Sequence, residues 1–335
     1  MTDNILHSVS VKILMSQMLI PFISAFAVTV ISGIFLIPWL HKLKFGQEIR
    51  EEGPSWHQKK SGTPTMGGIM MIAGVIAAYA ASFVGTPFNP RFLLILCAGL
   101  GFGAVGFADD YIKVVKKRNL GLTSKQKFSL QLAVTAAYLT GLYFMGGFSR
   151  ETVIPFTGAY IEMPVWLYIP FVFTVITGTV NAVNLTDGLD GLASSVNVPA
   201  SLFFMVAAVM MGFDYAGVLM ASAVGACMGF LIYNHYPARV FMGDTGSLFL
   251  GGMLAVTAVE TKLSLVLVIA GFVYLFEALS VIIQVTSFKL TGKRVFKMSP
   301  VHHHFEMCGW KETKIVAVFT AVTVVLCFIS VISLF

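Results

Sequence analysis

Residues 166–211 read WLYIPFVFTVITGTVNAVNLTDGLDGLASSVNVPASLFFMVAAVMM, two apolar runs joined by a polar turn. Each run comes near the ~20 apolar residues that a helix needs to cross the hydrocarbon of a bilayer. The turn, Asn181 to Leu192, carries Asp187 and Asp190, each followed by glycine, and has no lysine or arginine. Asp-Gly pairs favour tight turns, but two carboxylates at a membrane edge are costly unless a cation binds there. The stretch therefore predicts two membrane-spanning helices with a candidate binding site between them.

The same alternation of apolar runs and polar turns continues along the chain. Of its 335 residues, 57% are hydrophobic and 11% are charged, which is more apolar surface than a soluble domain of this length needs. Helices satisfy their own backbone hydrogen bonds in lipid, and the sequence lacks the alternation of barrel strands, so the fold class is an all-α polytopic membrane protein. We expect one domain over 1–335, with about ten transmembrane helices at 18–40, 67–84, 92–110, 128–146, 166–184, 193–212, 215–233, 248–261, 264–286 and 314–334.

Lysine and arginine are distributed unevenly between the two sides of these spans. One side holds 18 of the 22, in the loops 41–66, 111–127, 234–247 and 287–314. The other side holds Lys12, Arg91, Arg150 and Lys262. By the positive-inside rule the rich side is cytoplasmic and both termini are external. The external loop 147–165 contains a TVIPF-TG-AYIEM pattern that predicts a small hairpin.

Every polar cluster of the sequence falls on the predicted cytoplasmic side. These clusters are Lys59–Thr65, Asp109–Asp110, Asn181–Asp190, Asn234–Asp244 and His302–His304. Polar groups with only structural roles would not all lie at one face of the membrane. We therefore expect the chemistry at the inner surface.

Two of these clusters offer carboxylates. Asp109 and Asp110 end a span at a helix C-terminus, where the helix dipole disfavours anions. An interfacial acid pair balanced by Lys113 is one interpretation, and a site for a cation or a substrate proton is the one we favour. Asp244 lies in Gly-Asp-Thr-Gly, which we interpret as a flexible turn whose carboxylate suits Mg²⁺. The GxGxxG pattern at Gly101–Gly106 is inside an apolar helix, so it predicts close helix packing rather than a dinucleotide site.

Two other clusters suit phosphate. Lys60 to Gly68, KSGTPTMGG, offers a cation, hydroxyls and free backbone N–H groups at a helix start, although a simple Gly-Pro turn would look alike. Three consecutive histidines at 302–304 do not converge easily on one zinc ion, so phosphate positioning or proton transfer suits them better. Phe241 is placed to stack on a base. Glu277 and Gln284, inside the ninth span, line the cavity or pair within the bundle.

Metal-binding carboxylates, phosphate-binding cations and adjacent hydrocarbon together favour one reaction class. They suit phosphoryl transfer from a soluble nucleotide donor to a lipid acceptor, in which positioning and electrostatics supply most of the catalysis. A secondary transporter is a remote alternative, since its ionisable residues would cluster near the bilayer midplane, usually within repeats.

Five ordered motifs carry a family resemblance over nearly the whole chain: KSGTPTMGG (60–68), GFADDYIK (106–113), NAVNLTDGLDGL (181–192), YNHYPARVFMGDTGS (233–247) and SPVHHHFE (299–306). They resemble those of the phospho-N-acetylmuramoyl-pentapeptide transferases, in the polyprenyl-phosphate N-acetylhexosamine-1-phosphate transferase superfamily. The resemblance implies transfer from UDP-N-acetylmuramoyl-pentapeptide to undecaprenyl phosphate, giving lipid I and UMP in the first membrane step of peptidoglycan synthesis. It also implies Mg²⁺, a bacterial cytoplasmic (inner) membrane location, a homodimer and no nucleic-acid partner.

The resemblance also implies roles for individual residues. The catalytic set would be Asp109, Asp110, Asp244 and His302, with Asp244 the main Mg²⁺ ligand and Asp109 and Asp110 beside it. The substrate-binding set would be Lys60, Thr65, Lys113, Lys117, Lys125, Asn184, Asp187, Asp190, Asn234, Phe241, Gln284, His303 and His304. A sibling transferase that uses UDP-N-acetylglucosamine is the nearest alternative, although SPVHHHFE resembles the muramoyl-pentapeptide branch.

For the mechanism we expect direct attack by the lipid phosphate on the phosphorus nearer the sugar. A phosphate monoester has a second pKa near ~6, so the acceptor is already mostly a dianion at neutral pH. Asp109 or Asp110 would position it or take its residual proton. A phospho-aspartate intermediate is the alternative.

Overall fold

The computed structural model describes residues 2–42, 62–83, 89–116 and 120–335, and 75% of the protein is helical. The helices are α1 Thr2–Lys42, α2 Gly68–Ser82, α3 Pro90–Val115, α4 Ser124–Phe144, α5 Val165–Thr186, α6 Leu192–Met210, α7 Asp214–Asn234, α8 Gly243–Glu260, α9 Leu267–Ala270, α10 Phe272–Thr291, α11 Val301–Met307 and α12 Glu312–Ile332. Two short strands, β1 Glu151–Val153 and β2 Tyr160–Glu162, pair antiparallel. The predicted hairpin in the loop 147–165 is therefore confirmed.

Seven helices in the described ranges are long and apolar enough to cross a membrane. They are α1 from Gln17 onward, α3, α5, α6, α7, α10 and α12. The 15-residue α2 is apolar but shorter, and α4 and α8 occupy the positions of the other predicted spans. The expectation of a helical polytopic membrane protein is thus confirmed, whereas the count of ten spans stays a prediction.

Helix ends differ from the predicted span ends for a physical reason. The ninth predicted span, 264–286, is interrupted at Gly271, so that α9 and α10 are separate helices. Helix α10 continues to Thr291 and ends where Gly292 adopts a left-handed backbone with φ of +70°. Apolar length marks the edge of the hydrocarbon, but a helix continues until a residue such as this glycine ends its hydrogen bonding.

Helix α8 lies at the centre of the bundle and is buried from Thr245 to Glu260. It packs against α3, α5 and α2, while α1 packs against α7 and α2, and α6 against α7 and α12. Gly106 of α3 makes the closest approach, because a Cβ there would lie 2.1 Å from the backbone oxygen of Asp244. The prediction that the GxGxxG pattern serves helix packing is confirmed.

The two helices that meet at Gly106 are also joined at their opposite ends. Arg91, at the start of α3, donates to Glu260, at the end of α8, with Nη1 3.4 Å from Oε1. The hydroxyls of Tyr138 and Tyr215 donate to the same carboxylate at 3.2 and 2.5 Å. Glu260 is 6% exposed, so these three donors supply the partners that a buried carboxylate requires.

Candidate active site

Three aspartates from two helices meet at the N-terminal end of α8. Asp109 and Asp110 lie near the end of α3, and Asp244 lies in the first turn of α8. Each offers a carboxylate oxygen, and the three oxygens lie within 4.8 Å of one another. The prediction that Asp244 lies in a flexible loop turn is therefore wrong, because Asp244 belongs to the first helical turn of α8, which is buried.

Asp110 is held by the N-terminus of α8. The backbone N–H of Asp244 donates to Oδ1 at 3.2 Å, and the N–H and hydroxyl of Thr245 donate to Oδ2 at 2.9 and 2.7 Å. Gly243 begins the helix with φ of +71°, and a Cβ there would lie 2.6 Å from Oδ2 of Asp110. The unfavourable dipole of α3 is thus offset by the favourable end of α8, whose free N–H groups bind the anion.

Asp109 is held by the loop that precedes α4. The backbone N–H of Leu122 donates to its Oδ1 at 2.8 Å, and a Cβ on Gly121 would lie 2.5 Å from that oxygen. Its other oxygen, Oδ2, lies 2.6 Å from Nζ of Lys113, one helical turn away. The loop and the lysine together fix the orientation of this buried carboxylate.

Two lysines supply positive charge to the cluster. Nζ of Lys113 lies 3.1 Å from Oδ2 of Asp244 and 3.9 Å from Oδ1 of Asp110, and Nζ of Lys127 lies 2.7 Å from Oδ2 of Asp244. Burial acts to raise the pKa of Asp244, but the charge of Lys127, a hydrogen bond shared with Asp109 and the charge of Lys113 outweigh it. The pKa of Asp244 is therefore held below its ordinary value, and this carboxyl is ionised.

The turn between α5 and α6 reaches the cluster through Asn184. Its Nδ2 donates to Oδ1 of Asp244 and to the hydroxyl of Ser247, both at 2.8 Å. Asp187, just after α5, is partly exposed, and burial followed by the charges of Asp244, Asp110 and Asp190 raises its pKa well above the ordinary value. The turn at residues 181–192 thus lies beside the three aspartates, as predicted.

Asp190 and Asn234 connect this turn to the segment that follows α7. Oδ2 of Asp190 accepts from the N–H of Ala238 at 2.9 Å. Oδ1 of Asn234 accepts from the N–H of Gly191 at 3.0 Å, and its Nδ2 donates to the carbonyl of Val240 at 2.9 Å. In the structure these two side chains hold the loops of the site together.

The segment before α2 lies against the segment before α8. Backbone N–H groups of Gly67 and Gly68 donate to the carbonyls of Phe241 and Met242, each at 2.9 Å, and Phe241 donates to Pro64 at 2.8 Å. Thr65 is buried, and its Oγ1 lies 2.8 Å from where a Cβ on Gly243 would stand. Thr65 and Phe241 are therefore both brought to the site, whereas Lys60 lies outside the described residues.

The three histidines face three different partners. Nδ1 of His302 lies 3.0 Å from Oε1 of Glu277, and Nδ1 of His303 lies 2.6 Å from Oε2 of Glu306. Nδ1 of His304 accepts from the N–H of Lys297 at 3.1 Å. Each of the three rings therefore has a separate hydrogen-bond partner.

Two predicted substrate-binding residues, Gln284 and Lys125, are not among the described residues that pair with the three aspartates. Gln284 accepts from the N–H groups of Val295 and Phe296 and donates to the carbonyl of Phe296, so it holds the loop after α10. Lys125 is exposed, and Lys117 lies outside the described residues. Lys127 was not among the predicted site residues, although it is one of the six basic residues of the segment 111–127.

The position of Lys127 had a signal in the sequence. Gln131 and Thr135 follow it at intervals of four, and both are fully buried on the inner face of α4. Lys127 shares that face, and Lys125, two residues earlier, does not. Gln131 continues the polar face by exchanging hydrogen bonds with Asn181 of α5 at 2.7 and 3.3 Å.

This arrangement defines what the site can do chemically. An all-oxygen set of three carboxylates suits a hard divalent cation such as Mg²⁺, which prefers carboxylates, water and substrate phosphates. Two lysines beside the carboxylates add phosphate-binding charge. A site of this kind, at the end of an apolar bundle, suits phosphoryl or glycosyl-phosphate transfer at a membrane.

Comparison with known proteins gives the same class. A family model described as glycosyl transferase family 4 matches residues 92–262. The chain belongs to this family.

Within it, the chain is similar to proteins named phospho-N-acetylmuramoyl-pentapeptide-transferase. The relative from Caldanaerobacter subterraneus subsp. tengcongensis is 50% identical over 92% of this chain and 96% of its own length. The relative from Shouchella clausii is 51% identical over 90% and 93%, and that from Heliobacterium modesticaldum is 48% identical over 95% and 98%.

Proposed function

We propose that this chain transfers phospho-N-acetylmuramoyl-pentapeptide from its UDP-linked donor to undecaprenyl phosphate, giving lipid I and UMP. The observation that carries the proposal is the meeting of Asp109, Asp110 and Asp244 with Lys113 and Lys127 at one end of an apolar helix bundle. Carboxylates and lysines suit a pyrophosphate donor, and the adjacent hydrocarbon suits a lipid acceptor. The names of relatives at about 50% identity support the same reaction.

Mg²⁺ is the cofactor that the donor set fits best. Asp109, Asp110 and Asp244 would hold it, together with substrate phosphates and water. When bound, the ion neutralises charge on the pyrophosphate during transfer. Lys113 and Lys127, which pair with the same carboxylates, would add positive charge beside the phosphates of the donor.

The two adjacent aspartates have different duties in this proposal. Both oxygens of Asp110 accept hydrogen bonds from the first residues of α8, so Asp110 fixes the position of Asp244 as well as offering an oxygen to the metal. Asp109 is held instead by Leu122 and Lys113, and in this proposal it positions the acceptor phosphate or takes its residual proton. The acceptor oxygen forms a bond to the phosphorus nearer the sugar, and the bond from that phosphorus to the bridging oxygen of UMP breaks, so UMP leaves with the electron pair. Labelled phosphoryl-enzyme formed from donor alone, without lipid, would replace this scheme with a phospho-aspartate intermediate.

The remaining sequence expectations belong to the same proposal. The single domain would cross a bacterial inner membrane ten times, with α2, α4 and α8 added to the seven apolar helices and both termini outside. The site would then face the cytoplasm, where the soluble UDP-linked donor is found, and the protein would act as a homodimer. Cysteine labelling of positions 109, 187 and 244 from one side of the membrane only would support this topology, and labelling from opposite sides would exclude a shared pocket.

One assay tests the function directly. The purified protein is supplied with polyprenyl phosphate and Mg²⁺, each UDP-sugar is offered separately, and UMP release is measured. Release with UDP-N-acetylmuramoyl-pentapeptide, strongly reduced in the Asp244→Asn variant, is the expected result. Turnover with UDP-N-acetylglucosamine alone would assign the protein to the sibling transferases, and release with neither sugar would refute the proposal.

A further inference from the structure

His302 and Glu277 form a buried pair beside the site. His302 and Glu277 are both fully buried, with exposed fractions of 0%. Glu277 lies within α10, and His302 is at the start of α11. Nδ1 of His302 lies 3.0 Å from Oε1 of Glu277, and the backbone N–H of His302 donates to Oε2 at 3.4 Å. Two contacts from one carboxylate fix both the backbone and the ring of this histidine.

The other ring nitrogen of His302 points at the turn after α5. Nε2 is buried and has no hydrogen-bond partner among the described residues. A Cβ on Gly188 would lie 2.2 Å from this nitrogen and 2.6 Å from Cε1, so only glycine allows the ring to lie where it does. A buried polar atom without a partner costs about 1–3 kcal/mol, and such atoms in native proteins call for an explanation.

The turn that His302 contacts is the one that carries Asp187. Gly188 directly follows Asp187, whose carboxyl is within electrostatic reach of Asp244 and Asp110. A ring fixed by Glu277 on one side and packed on Gly188 on the other limits where the Asp187 carboxylate can stand. The same logic operates where a carboxylate orients a histidine that in turn orients a reacting or binding group.

We propose that Glu277 is a positioning residue, which holds His302 against Gly188 and so sets the Asp187 turn for binding the nucleotide donor. This inference rests on the proposed function, because the donor is the UDP-linked sugar. In it, Nδ1 of His302 donates its proton to Glu277, and Nε2 is the acceptor that faces the turn. Neither Glu277 nor Gly188 touches the reacting atoms.

The first experiment separates positioning from charge at residue 277. Steady-state UMP release is measured for Glu277→Gln and Glu277→Ala, with donor and acceptor varied independently. A glutamine carbonyl can still accept from Nδ1, and only the longer 3.4 Å contact with the backbone N–H is lost, so Glu277→Gln should keep the donor KM within about threefold. Glu277→Ala should raise the donor KM about tenfold or more while the acceptor KM changes less than twofold. Ser280→Ala, a buried change one turn along α10, is the matched control and should leave both KM values unchanged.

The outcomes decide between positioning and other roles. Equal losses in Glu277→Gln and Glu277→Ala would show that the charge matters rather than the geometry, and would overturn the inference. A lower kcat with both KM values unchanged in Glu277→Ala would indicate fewer folded molecules, a purely structural role, and would also overturn it.

The second experiment does not depend on turnover, so it separates failure of the inference from failure of the proposed function. Thermal unfolding in detergent is compared for Gly188→Ala, His302→Ala and the double variant. Gly188→Ala alone should lower the unfolding temperature, but should cost little more in the His302→Ala background, because the ring that the new Cβ meets is gone. Additive effects would show that His302 does not pack on Gly188 and would reject the inference even if the wild-type protein turns over. Coupling without wild-type turnover would uphold the contact and refute only the function.

Discussion

Replacing Lys127 with alanine, and Lys125 in parallel, gives a matched test of the active site. The two lysines are two residues apart at the start of α4, and both changes remove one positive charge. Lys127 lies 2.7 Å from Oδ2 of Asp244 with 17% of its side chain exposed, whereas Lys125 is exposed. General loss of charge from the basic loop would affect both variants alike, and loss of the contact with Asp244 would affect only one.

The expected difference follows from the type of contact. A hydrogen bond between charged groups contributes about 1.5–3 kcal/mol. At about 1.36 kcal/mol for each factor of ten, Lys127→Ala should lower kcat/KM by roughly ten- to 150-fold if the contact is used fully in the transition state. An exposed charge contributes about 0–1 kcal/mol, so Lys125→Ala should stay within about fivefold of the parent protein.

UMP release at saturating and limiting donor concentrations measures both effects. Unfolding temperatures of both variants in detergent control for loss of folded protein. Equal kcat/KM values for the two variants would refute the reasoning, since they would show that the Lys127–Asp244 contact has no part in catalysis. Combining Lys127→Ala with Asp244→Asn should add little to Asp244→Asn alone, because the two groups act through one contact.

Helix packing, the metal and the charge of Asp187 can each be tested separately. Gly106→Ala should lower both the unfolding temperature and UMP release, because the new Cβ would lie 2.1 Å from the Asp244 carbonyl oxygen. In the control Gly178→Ala the new Cβ meets nothing within 4 Å, so neither quantity should change. Equal effects of the two variants would contradict the packing argument. Chelation by EDTA should abolish UMP release, and added Mg²⁺ should restore it. The Asp244→Asn variant should need a higher Mg²⁺ concentration for the same recovery. UMP release that survives EDTA would exclude a role for the metal. Burial raises the pKa of Asp187 from 3.8, so the Asp187 carboxyl stays protonated to a higher pH in the folded protein than in the unfolded chain. The contribution of Asp187 to the free energy of unfolding therefore declines as the pH rises above about 4. Asp187→Asn should therefore reduce the fall in unfolding temperature over that range, and an unchanged slope would disprove the shift.

The helical class and the gathering of polar clusters at one end were predictable because both depend on local composition. Apolar run length and the distribution of lysine and arginine are read directly from the chain. The contacts between Asp110 and Asp244, between Asn184 and Asp244, and between Pro64 and Phe241 then join four of the five clusters in the structure. The order of apolar runs and polar turns was therefore enough to predict that these segments meet.

The role of each polar side chain was less predictable, because binding and structural roles require the same donors and acceptors. Gln284 was predicted to bind substrate, and in the structure its amide also holds the loop at Val295 and Phe296, a role that the sequence did not indicate. Lys125 and Lys127 look alike in the sequence until the helical phase of α4 is considered. Asp244 was placed on a turn, because apolar length alone marks the start of α8 five residues late, at Leu248 rather than Gly243.

The ion pair between Arg91 and Glu260 has a consequence for the distant aspartates. From Glu260 back to Asp244, helix α8 advances 1.5 Å per residue, so the two residues lie roughly 24 Å apart. Helices α3 and α8 run in opposite directions, with the ion pair at one end of their interface and the carboxylates at the other. A shift of one residue along this interface would therefore move Asp109 and Asp110 past Asp244 by about 1.5 Å. The alignment of the three carboxylates therefore depends partly on a contact at the opposite end of the same two helices.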